Sequence, residues 1–234
     1  MTQSVPSKSR LLVKLLVTNI VATIGLGGLL VLAAGTWDWP QLWVLGIEVT
    51  TFNLGVHLWL LNYNPALLAE RLGSPSQPNQ TTWDKVFVVF AAVGTLAWFA
   101  VPGIDHRWGW STVPIWVQVV GAVLIAVSLL SMVFVFRANS FAAPVVKVQA
   151  ERGHSVVDTG PYAYVRHPMY TGAIPFMIGM PLLLGSWYGL IGSAVVVVAL
   201  GMRAVGEERL LTRELDGYPE YAAQVRYRLV PGVW

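Results

Sequence analysis

The sequence has no cysteine among its 234 residues, and charged side chains are scarce. The lack of cysteine excludes disulfides, thiolate nucleophiles and Cys-ligated metal sites. Only 12% of the residues are charged, whereas soluble domains average about 25%. Because 55% of the residues are hydrophobic, polar groups cannot cover the folded surface, and most of that surface is expected to face lipid. The net charge of +3 is small and shows no basic face of the kind that binds nucleic acid.

Long apolar runs predict the fold class. A helix needs roughly 20 apolar residues to cross the hydrocarbon core of a bilayer. Runs of about this length occupy residues 15–34, 42–61, 86–101 and 115–136. A fifth run, 173–204, is too long for one span and is interrupted at 185–187, which predicts a helical hairpin. The sequence therefore predicts an all-α polytopic membrane protein with about six transmembrane helices, the last two forming a C-terminal hairpin.

The first run has an alternative interpretation as a signal peptide, because Lys8, Arg10 and Lys14 precede it. The apolar region of a signal peptide is usually about 7–15 residues long. The run here is longer, so a retained membrane span is favoured.

The distribution of lysine and arginine predicts the orientation. If the N-terminus is cytoplasmic and six spans follow, every lysine and arginine except Arg107 falls on the cytoplasmic side. Cytoplasmic loops of membrane proteins carry such an excess of basic residues. Both termini are therefore expected in the cytoplasm.

Polar residues are concentrated in two segments, 137–172 and 203–234, which flank the predicted hairpin. A hairpin returns the chain to the side where it began, so the two segments are expected to meet at one membrane surface. This pattern divides the chain into an N-terminal four-span region, 1–136, and a C-terminal catalytic region, 137–234. A composite pocket on the cytoplasmic side is expected between the two polar segments.

The stretch GPYAYVRHPMYTG, residues 160–172, is unusually polar for so apolar a chain. Pro168 restricts His167 to extended conformations and can open a helix. The free N–H groups of such a helix start favour an anion, and Arg166 could grip a carboxylate with two hydrogen bonds. The alternative is that Arg166 only follows the rule for basic cytoplasmic loops and that the tyrosines anchor the chain at the interface.

The acid pair Glu207-Glu208 lies just beyond the last apolar run. Carboxylates there could bind hydroxyl or amino groups of a ligand. The alternatives are a solvated helix face, or an ion pair between Glu207 and Arg203 one helical turn earlier.

In the second span, Gly46, Thr50, Asn53 and His57 share one helical stripe, which predicts either helix packing or the lining of a substrate cavity. The four histidines are dispersed and form no helical His-x-x-x-His pair, so no metal site is predicted.

Residues 139–172, NSFAAPVVKVQAERGHSVVDTGPYAYVRHPMYTG, are followed by the hairpin, by GEERLL and by YPEYAAQVRYRLVPGVW. Together these segments resemble the isoprenylcysteine carboxyl methyltransferase family, and phospholipid N-methyltransferases are similar in the same region. The resemblance covers about residues 137–234. It implies an enzyme of a bacterial inner membrane that uses S-adenosylmethionine (SAM), with a cofactor pocket closed by the C-terminal segment and a lipid-like or isoprenoid acceptor arriving from the bilayer.

The resemblance also implies roles for individual residues. Arg203 is expected near the reaction centre, where it would orient the acceptor, and Glu207 is the second expected catalytic residue. A carboxylate acceptor would need no base, whereas an amine would need one, and Glu207 or His154 are the candidates. Gly206 replaces the first position of a longer acidic run, so it stays open which acid contacts the cofactor. The expected cofactor-binding residues are Gln149, His154, Tyr162, Arg166, His167, Pro168, Tyr170, Gly172, Glu208, Tyr221 and Arg226.

Two other function classes fit the sequence less well. Membrane sterol reductases that use NADPH carry a related motif that reads RHxNYxGD, but here Met169 and Ala173 stand where that motif has Asn and Asp. A small transporter would place its polar cluster near the middle of the bilayer and show inverted repeats, whereas here the polar cluster lies at the cytoplasmic edge and no repeat is found. A methyltransferase is therefore favoured, and residues 1–136 do not distinguish an isoprenoid acceptor from a phospholipid or a fatty acid.

Overall fold

The computed structural model describes residues 6–77 and 80–234, and these residues form helices and loops with no β-strand. The all-α class is therefore confirmed. Short 3-10 turns occur at Ala150–Arg152 and Gly160–Ala163. The α-helices in the described residues are α1 (Lys8–Ala34), α2 (Pro40–Tyr63), α3 (Pro65–Arg71), α4 (Thr82–Trp108), α5 (Ile115–Ala138), α6 (Pro168–Leu183), α7 (Tyr188–Glu214) and α8 (Tyr218–Gln224).

Five helices, α1, α2, α4, α5 and α7, are long and apolar enough to cross a membrane. Helix α6 has only 16 residues, so at 1.5 Å per residue it is about 24 Å long, shorter than a hydrocarbon core of about 30 Å. Residues 184–187 join α6 to α7, which confirms the predicted hairpin and its turn. The polytopic architecture is confirmed, with a first hairpin arm that is shorter than a full span.

Large apolar side chains cover the outside of the helical bundle. Ile24 on α1, Phe90 on α4 and Val195 on α7 are 68%, 73% and 65% exposed, respectively. Water would penalise such a surface, whereas lipid does not. The exterior is therefore that of a membrane-embedded bundle.

Close packing of α5 against α6 depends on glycine. A Cβ atom added to Gly179 would lie 2.5 Å from the backbone oxygen of Gly121, and one added to Gly121 would overlap the backbone of α6. Neither helix could approach so closely with a larger residue at these positions. This seam holds the last turns of α6 against the first turns of α5. Near the start of α6, Gly172 allows a similarly close approach to Ser131 towards the end of α5.

The polar residues of α2 and α3 have structural partners. Asn64 caps α3 by accepting a hydrogen bond from the Leu67 amide at 3.0 Å, with Pro65 as the first helical residue. His57 contacts Asn19 of α1 at 3.0 Å. The stripe on α2 therefore faces α1 at this position, as its packing interpretation predicted.

Six helix ends meet at one end of the bundle, which we call the site end. Lys8 at the start of α1 bonds Asn62 at the end of α2, and Asn139 after α5 bonds Tyr162 before α6. The start of α4 contacts the C-terminal half of α7 through Arg203. Helices of the first four-span region thus pack directly on those of the C-terminal region, and the polar segments that flank the hairpin meet at the site end.

Candidate active site at the end of the hairpin

The polar motif enters α6 through an extended turn. His167 precedes the helix with φ −122°, and Pro168 is its first residue. The backbone N–H groups of Arg166 and His167 donate to the carbonyl oxygens of Tyr227 and Arg228 at 2.9 and 3.0 Å. The C-terminal segment therefore lies alongside the motif, and these two N–H groups bind that segment.

Glu208 joins the motif to the C-terminal segment. Its carboxylate accepts from Arg166 Nε at 2.7 Å and from Arg228 Nε at 2.8 Å, and it lies 3.2 Å from His167 Nε2. Its side chain is only 12% exposed. Three cationic or polar groups thus surround one buried acid, which holds the two halves of the site together.

Arg166 is engaged within the protein, which differs from the expectation that it grips a ligand carboxylate. Besides Glu208, its Nη1 atom donates to the carbonyl oxygens of Ala222 and Val225 at 3.0 and 3.1 Å. Arg166 therefore attaches the loop after α8 to the polar motif. Its N–H donors are used within the protein and not by a ligand.

Glu207 occupies a different environment from its neighbour. The Tyr170 hydroxyl donates to its Oε2 atom at 2.7 Å, and His167 Nδ1 lies 3.6 Å from the same atom. The Glu207 side chain is 26% exposed and lines the cavity described next. The structure thus gives the two acids separate tasks: Glu208 holds the chain together, and Glu207 faces open space.

A cavity of about 750 Å³, counting the part that opens to solvent, lies at the site end. Its walls come from the loop after α5, the polar motif, the end of α7 and helix α8. It is lined by residues 139, 141–143, 145–147, 154–157, 162, 166, 167, 169, 170, 207, 211, 215, 218 and 221.

Tyr218 presents an unsatisfied polar group in this cavity. Its hydroxyl oxygen is buried and has no hydrogen-bond partner among residues 6–77 and 80–234. Burial raises the pKa of Tyr218, and the nearby Glu208 and Glu207 raise it further, so the hydroxyl keeps its proton. A buried hydroxyl without a partner is costly, and a ligand in the cavity could supply that partner.

His154 also lines the cavity, stacked on Phe141 with ring centroids 4.4 Å apart. Burial, and to a smaller extent the charge of Arg152, lowers its pKa to about 4. Its Nδ1 atom accepts from the Gln149 amide at 3.2 Å, so the single proton of the neutral ring sits on Nε2. His154 therefore offers a hydrogen-bond donor to the cavity and is poorly suited to act as a base.

Tyr162 and Tyr221 form part of the same wall. The Tyr221 hydroxyl donates to the Tyr162 carbonyl oxygen at 2.8 Å, and Asn139 donates to the Tyr162 hydroxyl at 2.8 Å. Helix α8 is thereby attached to the turn that precedes the polar motif.

Several residues expected in the cofactor site lie elsewhere. Gln149 is fully buried and bonds Phe141 O at 2.8 Å, which shapes the loop behind the cavity wall. Pro168 starts α6, and Gly172 packs against Ser131 of α5, where a Cβ atom would overlap the serine side chain. Arg226 is exposed, and in the C-terminal segment it is Arg228 that reaches Glu208.

Arg203, the expected reaction-centre residue, is held by a partner that the sequence analysis missed. Its Nε and Nη2 atoms both lie 3.0 Å from Asp84 Oδ1, so the alternative interpretation of an ion pair with Glu207 does not hold. Asp84 lies in the first turn of α4 behind its capping residue Thr81. A lone acid at the edge of an apolar run was the available signal for it.

Phe141, Tyr218 and Arg228 were also not among the expected site residues, although all lie inside the segments that carried the resemblance. Within residues 6–77 and 80–234, no group of three or more His, Asp or Glu side chains could hold a metal ion.

Parts of this chain are similar in sequence to known methyltransferases. Residues 116–216 match the sequence model of the family described as phospholipid methyltransferase. The chain is 26% identical over 127 residues to protein-S-isoprenylcysteine O-methyltransferase B of Arabidopsis thaliana, covering 53% of this chain and 61% of the relative. It is 34% identical over 83 residues to protein-S-isoprenylcysteine O-methyltransferase of Schizosaccharomyces pombe, covering 35% of each chain. The resemblance predicted from the motif and the acid pair is therefore confirmed, and the C-terminal half of this chain is related to the phospholipid and isoprenylcysteine methyltransferases.

Proposed function

We propose that this chain is a membrane-embedded methyltransferase that uses SAM to methylate a carboxylate, or an amine, of a lipophilic acceptor. The observation that carries the proposal is the cavity at the site end. The polar motif and Glu207 both line it, and these are the elements in which the chain resembles known methyltransferases.

The residues of the cavity fit the chemistry of SAM. Glu207 has a carboxylate facing open space, which suits a ribose diol or an ammonium group. Tyr218 has a hydroxyl without a partner, and His154 offers an N–H donor for a carboxylate or an adenine nitrogen. Aromatic faces of Phe141, Tyr162 and Tyr221, together with Leu211 and Leu215, suit an adenine ring and a sulfonium.

When bound, SAM would supply an electrophilic methyl group on a sulfonium. The protein's task is then to position the acceptor in line with that methyl group and to exclude water. The C-terminal segment contributes to both, because Arg166, Glu208 and Arg228 hold it across the motif. Tyr170 orients the Glu207 carboxylate through a charge-assisted hydrogen bond.

The need for a base depends on the acceptor. A carboxylate attacks as it stands, whereas an ammonium group must first lose a proton. Glu207 is then the candidate base, since the Nδ1 atom of His154 already accepts a backbone hydrogen bond. Arg203 is too deeply engaged with Asp84 to contact the acceptor, so we propose a supporting role for it.

We further propose that the site end faces the cytoplasm in a bacterial inner membrane. The basic residues concentrate at this end, as the rule for cytoplasmic loops requires. The apolar exterior allows a lipid-like acceptor to approach from the bilayer. The chain spans 61% of the length of its Arabidopsis relative, so the acceptor is proposed here by chemistry alone.

The first test measures ligand binding. The full chain, purified in detergent, is titrated by calorimetry with SAM, S-adenosylhomocysteine and NADPH. Binding of the first two and not of NADPH is expected. Glu207→Gln should weaken SAM binding at least about tenfold, equivalent to about 1.4 kcal/mol, whereas the exposed Glu214→Gln should not change it.

The second test identifies the acceptor class. The protein is incubated with SAM carrying a radiolabelled methyl group and with a membrane extract, and the products are partitioned between organic and aqueous phases. Label in the organic phase is expected, and base-labile label would indicate a methyl ester. Binding of NADPH alone, or label only on small polar molecules, would contradict the proposal.

A further inference from the structure

We propose that Asp84 is a positioning residue of the methyl-transfer site, where it holds one cavity wall and Arg203 in place. This inference rests on the proposed function. Asp84 lies in α4, outside residues 116–216 that match the family, so the role would extend the active site into the first four-span region.

Asp84 is completely buried and both of its oxygens have partners. Oδ1 lies 3.0 Å from both Nε and Nη2 of Arg203. Oδ2 accepts from Gln80 Nε2 at 2.8 Å and from the Val146 amide at 2.9 Å. One carboxylate thus connects α4 to α7 and to the loop that follows α5.

Asp84 and Arg203 bind each other and also bind the same backbone segment of the cavity wall. Arg203 Nη2 donates to the carbonyl oxygen of Pro144 at 2.8 Å, two residues before the amide that Asp84 binds. The intervening and following residues, Val145, Val146 and Lys147, line the cavity. Lys147 is attached on its far side to Glu70 of α3 at 2.8 Å. Asp84 and Arg203 therefore hold residues 144–147 of this wall in position through hydrogen bonds to its backbone.

Arg203 also supports the group that holds Glu207. Its guanidinium carbon lies 5.9 Å from the centroid of the Tyr170 ring and 5.5 Å from that of Phe87. Tyr170 in turn donates its hydroxyl hydrogen to Glu207. Asp84 fixes Arg203, Arg203 lies against Tyr170, and Tyr170 orients the carboxylate that faces the cavity.

A purely structural ion pair is the competing explanation. Replacing a buried ion pair with apolar residues of similar size often leaves a protein as stable or more stable. Such a replacement separates the two explanations, since it can preserve packing while removing the hydrogen bonds that Asp84 and Arg203 make to the cavity wall.

The deciding experiment compares the single variant Asp84→Asn, the double variant Asp84→Leu/Arg203→Met and the control Asp38→Asn, which lies exposed at the other end of the bundle. Melting temperature, SAM affinity, kcat and KM for the acceptor extract are measured in detergent. Hydrogen exchange of residues 141–154 supplies a readout that does not depend on activity. The double variant should melt close to wild type, yet exchange faster in 141–154 by at least tenfold and lose at least tenfold in kcat.

Recovery of kcat to within twofold of wild type in the stable double variant, with unchanged exchange in 141–154, would overturn the proposal. If the double variant does not fold, Arg203→Lys takes its place. That variant keeps the charge beside Asp84 but removes the hydrogen bond to Pro144, so it should fold and still lose kcat. An Arg203→Lys protein with wild-type kcat and exchange would equally refute the idea. Failure of the proposed function would look different, because the wild-type protein itself would then neither bind SAM nor transfer a methyl group.

Discussion

Glu208 offers the sharpest test of how the site is assembled. In the Glu208→Gln variant the side chain keeps its size, but a neutral amide replaces the carboxylate. Arg166, whose side chain is 9% exposed, then lacks a counter-charge in a buried place. Arg228 is 33% exposed and can turn towards water.

The expected loss of free energy depends on how exposed the two arginine side chains are. Removing one member of a buried ion pair costs about 3–5 kcal/mol, whereas exposed pairs contribute about 0–1 kcal/mol. Most of the loss should therefore come from Arg166, with some relief because the glutamine oxygen still accepts one hydrogen bond. We expect the C-terminal segment to lose about 2–4 kcal/mol of its attachment to the motif.

Hydrogen exchange measures this attachment directly. If residues 218–230 open locally, a loss of about 2–4 kcal/mol raises their exchange roughly 30- to 700-fold. The seam between α5 and α6 should keep its protection. The matched control is Glu214→Gln on the same helix, where the glutamate is 44% exposed and pairs with an arginine that is 70% exposed.

SAM affinity should fall together with the protection of this segment, because the segment closes the cavity. Exchange in residues 218–230 that is equal in wild type, Glu208→Gln and Glu214→Gln would refute the reasoning, since the buried carboxylate would then not hold the segment.

The helix seam, the buried histidine and the topology provide further predictions. Gly179→Ala should cost about 1–3 kcal/mol of stability through overpacking and lower the melting temperature, because the new methyl group would meet a backbone oxygen of α5 at 2.5 Å. The control Gly25→Ala, whose new methyl group meets nothing within 4 Å, should be neutral or slightly stabilising. Equal melting temperatures of the two variants would contradict the close approach of α5 and α6. The pKa of His154 is lowered to about 4 in the folded protein against about 6.5 unfolded, so the unfolded chain takes up the proton first and stability should fall as pH drops from about 6.5 towards 4. The loss of folding free energy from this histidine is at most about 3 kcal/mol, and partial exposure reduces it. Between pH 7 and pH 5, the melting temperature of the wild type should therefore fall further than that of His154→Phe. Reporter fusions after Gly73 and after Arg137 should both give cytoplasmic signals, and a periplasmic signal from either would refute the proposed orientation.

Local sequence determined the helices and carried the family resemblance. Membrane spans can be predicted from apolar runs without tertiary information, because any helix needs about the same length to cross the bilayer. Pro168 and the interruption at 185–187 determined where the hairpin begins and turns, because proline and glycine act on the backbone locally. The motif and the acid pair were sufficient to show the resemblance to these methyltransferases, which the match over residues 116–216 bears out.

Only the tertiary structure decided which polar groups meet. Adjacent acids cannot be told apart by sequence, yet Glu208 is enclosed by arginines while Glu207 faces the cavity. Arg226 and Arg228 are equally plausible partners until the pairing of Tyr227 and Arg228 with the motif sets their register. The partner of Arg203 lies 119 positions away in the chain, and no local pattern predicts a contact that is made by the packing of α4 against α7. The sequence therefore identified the two polar segments that meet at the site, whereas long-range packing decided which of their residues face the cavity and which hold the protein together.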